Sequence, residues 1–243
     1  MNFFKKAKPI LKELIPSNYI DIHSHLLPGI DDGAKNIEDT KMLYGKMKQM
    51  GFSKCITTPH IMSGIWENTY ESITNTLNTT VPELPEENRF FKAAAEYMMD
   101  SEFSKLFESE KLLTLKENYV LVEMSYINPP IQLYEILFDL RIAGYQPVLA
   151  HPERYLFYHK SLKEYEKLIH SGCMFQLNLL STVGYYGKEV AKIADTLLQK
   201  KMYSFSGSDI HHSKHIESFS SRLIISESKE LEALLEKNQF FDF

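Results

Sequence analysis

Histidines and carboxylates recur together in short segments of this chain that lie far apart in the sequence. These segments are Asp21-Ile-His-Ser-His25, Asp31-Asp32, Pro59-His60, Ala95-Glu96, Val122-Glu123, Ala150-His151 and Ser208-Asp-Ile-His211. Mixed imidazole and carboxylate ligands suit zinc, manganese or iron better than magnesium or calcium, which prefer oxygen ligands. We therefore expect a site for divalent cations if the fold brings these segments together.

Taken singly, each of these residues has a common structural role. A His-x-His pair also occurs on surface strands, and a lone buried glutamate can cap a helix or pair with a lysine. The metal site is predicted from convergence, because four carboxylates and five imidazoles close together are costly to bury unless cations balance their charge. Because nine ligands are more than one ion can bind, we expect two or three ions. Phosphatases use such sets of ions, which lie about 3.5–4 Å apart. The candidate ligands are His23, His25, Asp32, His60, Glu96, Glu123, His151, Asp209 and His211.

A regular alternation of strands and helices is predicted around these segments. Apolar and β-branched runs predict seven strands, near Tyr19–His23, Ser53–Thr58, Phe90–Glu96, Tyr119–Glu123, Gln146–Ala150, Met174–Asn178 and Met202–Ser206. Helical periodicity separates several of them, over Ile37–Met50, Ile131–Ala143, Leu162–Ile169 and Val190–Leu198. This alternation predicts an α/β fold with mostly parallel strands and outer helices, and the lack of a dinucleotide or P-loop motif favours a barrel.

The C-terminal ends of parallel strands carry the active site in folds of this kind. Six of the seven predicted strands lead directly into a candidate ligand, whereas the sixth, which ends in Gln176-Leu-Asn178, offers no ionisable group. The candidates are therefore expected to meet at one mouth of the fold.

Composition indicates one globular domain. The chain has 243 residues, of which 44% are hydrophobic, and its formal net charge of −5 disfavours sequence-independent nucleic-acid binding. Its apolar runs are shorter than the ~18 residues of a membrane span, and lysines interrupt the N-terminal stretch where a signal peptide needs an apolar core. Two cysteines, Cys55 and Cys173, are too few for a disulfide framework, so a cytoplasmic location is expected.

The two cysteines also exclude a cysteine-dependent phosphatase. That chemistry needs an arginine six residues after the nucleophile, but Ile61 and Leu179 stand at those positions. Both thiols are expected in the core.

Residues 1–16 form an amphipathic, basic N-terminal extension, and residues 17–243 are predicted to form a single domain. We expect the extension to dock as a helix on the outside of the barrel rather than on a membrane surface. The polar stretch Thr69–Asn88 predicts a helix followed by an exposed loop.

The motifs closely resemble those of the PHP (polymerase and histidinol phosphatase) metallo-phosphoesterases. Within that family the chain resembles the bacterial tyrosine-protein phosphatases of capsule and exopolysaccharide systems. The most specific parts are Asp21-Ile-His-Ser-His-Leu-Leu-Pro-Gly-Ile-Asp-Asp-Gly33 and Ala150-His-Pro-Glu-Arg-Tyr155, and the resemblance runs from about Tyr19 to beyond His211. It implies a distorted (β/α)7 barrel and the hydrolysis of phosphotyrosine by a metal-activated water.

The resemblance also implies a role for each ligand in a cluster of three ions, most often manganese, with iron or zinc as alternatives. His23, His25 and Asp209 would bind the first ion, and Glu96 would bridge it to the second. Glu123 and His151 would complete the second site. Asp32, His60 and His211 would hold the third ion, and Asp31 would support a ligand.

Arg154 matches the arginine that holds the substrate phosphate in this family. Lys214 and His215 stand where relatives tend to carry a second arginine, so they are candidates for substrate binding, with Arg222 further along the chain. Either His60 or a metal-linked water would protonate the leaving phenolate.

The expected partner is a phosphotyrosine protein, in particular the C-terminal tail of a bacterial tyrosine kinase. Two alternatives stay open: a phosphatase of histidinol phosphate or a sugar phosphate with the same metal cluster, and a non-catalytic protein that binds phosphorylated tails. The sequence predicts no oligomeric state.

Overall fold

Parallel strands in two sheets form the framework of the computed structural model, which describes residues 7–85 and 90–243. The first sheet has the order β1-β2-β4, and the second has the order β3-β5-β6-β7-β8-β9. The strands are β1 Tyr19–Asp21, β2 Phe52–Thr57, β3 His60–Ile61, β4 Phe91–Ala93, β5 Glu96–Met98, β6 Tyr119–Glu123, β7 Gln146–Ala150, β8 Met174–Asn178 and β9 Phe205–Gly207. Every pairing within these sheets is parallel, which confirms the predicted α/β class.

One of the seven predicted strands is interrupted and one strand is additional, so the described residues contain nine strands. Pro59, which has no N–H to donate, separates β2 from the unpredicted β3. The predicted strand Phe90–Glu96 breaks opposite it, into β4 and β5, and Ala94 N and Glu96 N donate across the break to Thr57 O (2.9 Å) and Pro59 O (3.1 Å). The first predicted strand ends early, at Asp21, and the last begins late, at Phe205.

The chain beyond β1 and the chain beyond β9 meet at one parallel bridge, between Ser24 and Ile210. His25 N donates to Ile210 O (2.9 Å) and Asp209 N donates to His23 O (2.7 Å). These bonds join the segment that follows the first strand to the segment that follows the last. Closure of the sheets into a seven-unit barrel stays a prediction.

Helices connect the strands much as predicted. They are α1 Leu11–Leu14, α2 Ile37–Gln49, α3 Tyr70–Thr80, α4 Ser101–Ser109, α5 Leu133–Ile142, α6 Leu162–His170, α7 Lys188–Gln199, α8 Ser213–Ser218 and α9 Ser228–Lys237. The four periodic segments are helical to within two residues at each end, and α4, α8 and α9 are additional. Gly51 ends α2 in the left-handed region (φ +105°), which its lack of a Cβ permits.

The polar stretch from Thr69 begins as predicted with a helix, α3, and continues in a 3₁₀ turn over Val81–Glu83. The rest of the predicted loop includes residues 86–89, which lie outside the described residues.

The described part of the N-terminal extension packs on the C-terminal third of the chain. Leu11 is fully buried, and its N–H donates to Ser221 O (3.0 Å). Arg222 Nη1 donates to Lys8 O (2.7 Å), so this arginine binds the extension rather than the site. The helix here is a single turn, α1, and residues 1–6 lie outside the described residues, so the boundary at residue 16 stays a prediction.

Cys55 and Cys173 are both free and buried, as expected for core residues. Within the described residues, no helix is both long enough and apolar enough to cross a membrane.

Candidate metal centre

The nine candidate ligands come together. Seven of them end or follow β1, β6, β7 or β9, whereas His60 and Glu96 begin the short strands β3 and β5. Their potential ligand atoms form four overlapping groups, each with all atoms within 4.8 Å of one another. The groups are His25, Asp32, His60 and His211; His23, His25 and Asp209; His23, Glu96 and His151; and His60, Glu96 and Glu123. A cavity of about 910 Å³ opens above them and is lined by seven of the nine residues, with His23 and His25 buried beneath.

Glu96, the first residue of β5, lies at the centre of the cluster and is fully buried. Its Oε2 is 3.1 Å from His23 Nε2 and 3.2 Å from His60 Nδ1, and its Oε1 is 3.2 Å from His151 Nε2. The two oxygens thus face different imidazoles, which is the arrangement that a carboxylate bridging two cations requires.

The observed groups agree in part with the ligand sets that the family resemblance implies. His23, His25 and Asp209 lie together as expected, and the group of Asp32, His60 and His211 also includes His25. The two expected ligands of the second ion fall in different groups. Glu123 Oε1 lies 2.9 Å from His60 Nδ1, whereas His151 lies beside His23 and Glu96. The assignment of each residue to a particular ion stays a prediction.

The atoms that face the centre of the cluster have no hydrogen-bond partner within the described residues. They are His23 Nε2, His25 Nε2, His60 Nδ1, both carboxylate oxygens of Glu96 and Glu123 Oε1. Imidazole nitrogens and carboxylate oxygens approach one another to 2.9–3.5 Å here, yet the ring N–H directions do not align with the oxygens. Leaving a buried polar atom unpaired costs about 1–3 kcal/mol. Because cations would satisfy all these atoms at once, the residues fit a metal cluster.

The opposite ring nitrogens of the buried histidines are held by the protein. His23 Nδ1 is 2.8 Å from Gln176 Oε1, and His25 Nδ1 is 2.8 Å from Asp31 Oδ2. Each Nδ1 donates its proton to these acceptors, which leaves Nε2 as the ligand nitrogen. Asp31 has the supporting position that the resemblance implies. Gln176 is missed by a search for ionisable residues, because its side-chain amide carries no ionisable group.

Two glycines let the chain segments approach closely at this site. A Cβ at Gly33 would lie 2.0 Å from His25 O, and one at Gly207 would lie 2.6 Å from His23 Cβ. Both distances are far inside van der Waals contact. Gly33 therefore allows the Asp31-Asp32 loop to fold back on His25, and Gly207 allows β9 to pass against His23.

Two of the candidate ligands stand in the left-handed backbone region, which is unfavourable for residues with a side chain. His151 has φ +38° and Asp209 has φ +51°. Backbone hydrogen bonds fix both residues, from His151 N to Gln176 O (2.8 Å) and from Asp209 N to His23 O (2.7 Å). Strain of this kind at the ends of two strands is typical of functional sites, because the surrounding structure has to hold it in place.

Arg154 lines the cavity beside Asp209. Its Nη1 donates to Asp209 Oδ2 at 2.8 Å, and its guanidinium carbon lies over the rings of Tyr126 and Tyr186, 4.6 and 4.0 Å from their centroids. Asn178 Nδ2 donates to the same Asp209 oxygen at 2.7 Å. These contacts turn Asp209 Oδ1 toward the histidines and hold the guanidinium plane in one orientation.

The structure separates the two candidates that follow Ile210-His211. His215 is buried and lines the cavity, and its Nδ1 accepts a hydrogen bond from His211 N at 3.1 Å. Lys214 is exposed and is not among the lining residues. His215 thus supports the backbone of a candidate ligand, and the geometry gives Lys214 no contact with the cavity.

Burial and neighbouring charges shift the pKa values in the cluster. Burial alone would raise the pKa of Glu96, but the imidazoles of His23 and His60 hold it well below its usual value. Burial and the charge of Glu96 raise the pKa of Glu123. Burial and the nearby Arg154 lower the pKa of His151 to about 4, so this imidazole is neutral at pH 7, which is the form that binds metal ions.

Comparison with known proteins identifies a family and several relatives. The family described as "Capsular polysaccharide synthesis, CpsB/CapC" matches residues 19–218. Tyrosine-protein phosphatase YwqE of Bacillus subtilis (strain 168) is 27% identical over 198 residues, which are 80% of this chain and 78% of the relative. Tyrosine-protein phosphatase CpsB of Streptococcus pneumoniae is 28% identical over 202 residues, which are 79% of this chain and 83% of the relative.

Solved structures show the same similarity. A chain from the crystal structures of YwqE from Bacillus subtilis and CpsB from Streptococcus pneumoniae, described as "unique metal-dependent tyrosine phosphatases", superposes with a TM-score of 0.75. It is 26% identical, and the match covers 92% of this chain and 88% of that chain. An amidohydrolase from Mycoplasma synoviae superposes with a TM-score of 0.52 at 12% identity, which shows a shared fold alone.

Proposed function

The chain belongs to the CpsB/CapC family of capsular polysaccharide synthesis, and on this premise we propose that it is a metal-dependent protein-tyrosine phosphatase, a phosphoric monoester hydrolase. The observation that carries the proposal is the set of buried imidazole and carboxylate atoms that face one another without hydrogen-bond partners among the described residues. The relatives named as tyrosine-protein phosphatases support the same activity.

We propose that the nine residues hold two or three divalent cations, with manganese as the first choice and iron or zinc as alternatives. The four overlapping groups of ligand atoms support more than one ion, and the shared membership of Glu96 supports a bridging role for it. The mixture of nitrogen and oxygen donors favours these metals over magnesium or calcium.

In phosphate ester hydrolysis, bound cations of this kind lower the pKa of water and offset the negative charge of the phosphate. Water adds to phosphorus, the bond from phosphorus to the phenolic oxygen breaks, and a proton reaches that oxygen. A phenolate, whose conjugate acid has a pKa of about 10, leaves more readily than an alkoxide.

The protein's own residues bind and orient the substrate. Arg154 is placed to donate to phosphate oxygens through the guanidinium N–H groups that Asp209 does not accept, since Tyr126 and Tyr186 hold the group in position. His60 lines the cavity, and either this histidine or a metal-linked water remains the candidate that protonates the leaving oxygen. Lys214 and His215 remain candidates from the resemblance alone, and the geometry supports only an indirect role for His215.

We propose a phosphotyrosine protein as the substrate, in particular the C-terminal tail of a bacterial tyrosine kinase. The cavity of about 910 Å³ is open enough to admit a side chain carried on a peptide. The free cysteines fit a cytoplasmic location, where thiols stay reduced.

For the fold we propose a distorted barrel of seven βα units within a single domain over residues 17–243, preceded by the extension of residues 1–16. The bridge between Ser24 and Ile210 and the hydrogen bonds across the breaks at Pro59 and Ala94 support this arrangement.

Hydrolysis by the metal-loaded protein of a phosphotyrosine peptide, histidinol phosphate and a sugar phosphate tests the proposed activity. We expect the highest kcat/KM with the peptide. A higher value with either small molecule would favour the small-molecule phosphatase, and binding of the peptide without turnover would favour a non-catalytic role.

A further inference from the structure

Two isoleucines are exposed at the mouth of the metal-centre cavity. The exposed fraction is 64% for Ile65 and 85% for Ile127, and both residues line this cavity. The ligands below them are ionic, so these two side chains give part of the rim of a charged cavity an apolar surface. Larger apolar surfaces bordered by polar residues mark ligand-binding grooves.

Both isoleucines are held by short, fixed segments. Ile65 lies at the tip of a tight turn in which Met62 N donates to Trp66 O (3.0 Å) and Trp66 N donates to Met62 O (2.9 Å). Ile127 N donates to Ser125 Oγ (3.2 Å), and Pro129 and Pro130 restrict the chain beyond it. A ligand that contacts the two side chains therefore needs little ordering of the protein, which favours binding.

The two segments stand on opposite sides of β5. β3, which leads to the turn of Ile65, pairs with one edge of β5, and β6, which leads to Ile127, pairs with the other. The segments that carry the two isoleucines therefore flank the strand that begins with Glu96.

We propose that Ile65 and Ile127 bracket the phenyl ring of phosphotyrosine and thereby select aryl phosphates over alkyl phosphates. This inference rests on the proposed phosphatase function and adds the residues that determine its substrate class. A phosphoserine has a single methylene between its ester oxygen and its backbone, so it offers no ring to the two side chains. Selectivity for aryl groups then comes from the rim, while the phosphate is held by the residues below.

Inhibition by two phosphonates that the enzyme does not hydrolyse tests the proposal. Phenylphosphonate and methylphosphonate carry the same head group, so the ratio of their inhibition constants measures the contribution of the ring. We expect the Ile65→Ala/Ile127→Ala double variant to lose most of this preference, by about tenfold, the effect typical of removing methylenes from an apolar binding site. Its inhibition by methylphosphonate should stay within about twofold of wild type, because the phosphate-binding residues are unchanged.

Ile142→Ala is the matched control, because Ile142 is 73% exposed and does not line this cavity. It should keep the wild-type ratio, and the Ile65→Leu/Ile127→Leu variant should retain most of it. An unchanged ratio in the double alanine variant, with normal metal content, would overturn the inference. Failure of the proposed function would appear differently, as a wild-type enzyme that binds the phosphonates but does not hydrolyse phosphotyrosine peptide.

Discussion

Two glutamates of this protein, Glu96 and Glu153, are equally buried but differently surrounded. Glu153 accepts hydrogen bonds from Asn178 N (3.0 Å) and Ser181 Oγ (2.8 Å) at one oxygen and from Tyr203 OH (2.9 Å) at the other. Glu96 has no hydrogen-bond partner at either oxygen within the described residues. Both have 0% exposure.

The difference shows that burial of a carboxylate does not by itself identify a functional site. At Glu153 the chain supplies the donors, and burial raises its pKa to about 7 while these donors moderate the rise. At Glu96 the neighbouring atoms are ring nitrogens of candidate metal ligands, and none of them donates an aligned hydrogen bond to the carboxylate. The carboxylate of Glu96 is therefore suited to bind cations.

Removal of metal should have the largest effect on activity. A chelator should abolish hydrolysis of phosphotyrosine peptide and lower the stability of the protein, because the facing carboxylates and imidazoles lose their counterions. Saturating metal at 100 times its Kd stabilises a folded protein by about 2.7 kcal/mol. Activity assays and thermal unfolding with and without added manganese measure both effects. A stability that does not respond to chelation would contradict a cluster at this place.

Glu96→Gln should lower kcat/KM by more than about 100-fold, since even residues that only support a metal ligand have effects of 10–100-fold. The variant should also bind fewer ions per chain, which elemental analysis measures. Glu153→Gln is the matched control, a buried glutamate changed in the same way, and it should keep the wild-type metal content. Normal turnover of Glu96→Gln would exclude a bridging role.

Gln176→Ala should lower activity by about 10–100-fold, because His23 Nδ1 loses the acceptor that fixes its tautomer. The effect should come with weaker metal binding, seen as a higher manganese concentration for half-maximal activity. Gln146→Ala offers a control at a glutamine that bonds only backbone carbonyls. Equal metal affinity in wild type and Gln176→Ala would show that the amide does not position the histidine.

Glu153→Ala should destabilise the fold by about 3 kcal/mol, since three donors lose their buried acceptor. Its chelator-induced loss of stability should match that of wild type. Urea unfolding of the metal-free protein measures the difference. A loss of bound metal in Glu153→Ala, together with unchanged stability, would reverse the roles assigned to the two glutamates.

Lys214→Ala should have the smallest effect, within about twofold in kcat/KM, because exposed charges outside a site contribute little. Its comparison is His215→Ala, which removes the acceptor of His211 N and should reduce activity more. A KM for phosphotyrosine peptide that rises only in Lys214→Ala would restore the direct substrate role that the resemblance implies.

The sequence predicts most of the framework, since hydrophobic periodicity locates the strands and the central helices. It misses the interruption at Ala94 and Ala95, because that break follows from the missing N–H of Pro59 on the neighbouring strand and not from any local signal. Nor does it predict α4, whose start is a cap by Asp100.

For the site, the sequence predicts the ionisable residues, including the supporting Asp31, but not the amide and aromatic side chains that hold them. Gln176 and Asn178 lie at the end of the one predicted strand that offers no metal ligand. Through their side-chain amides they nevertheless hold two candidate ligands in place, His23 and Asp209. Tyr126 and Tyr186 stack on Arg154 from segments 28 and 32 residues away, so no spacing rule links them. Glu153 belongs to the motif Ala150-His-Pro-Glu-Arg-Tyr155. Only the structure shows that both of its carboxylate oxygens already accept hydrogen bonds from protein donors.

Anomalous scattering from crystals of the metal-loaded protein, measured at the absorption edges of manganese, iron and zinc, would examine the unpaired atoms directly. We expect at least two peaks, one among His23, His25 and Asp209 and another beside Glu96. Full metal content with every peak at other residues, and with Glu96 instead hydrogen-bonded to water or protein donors, would contradict it.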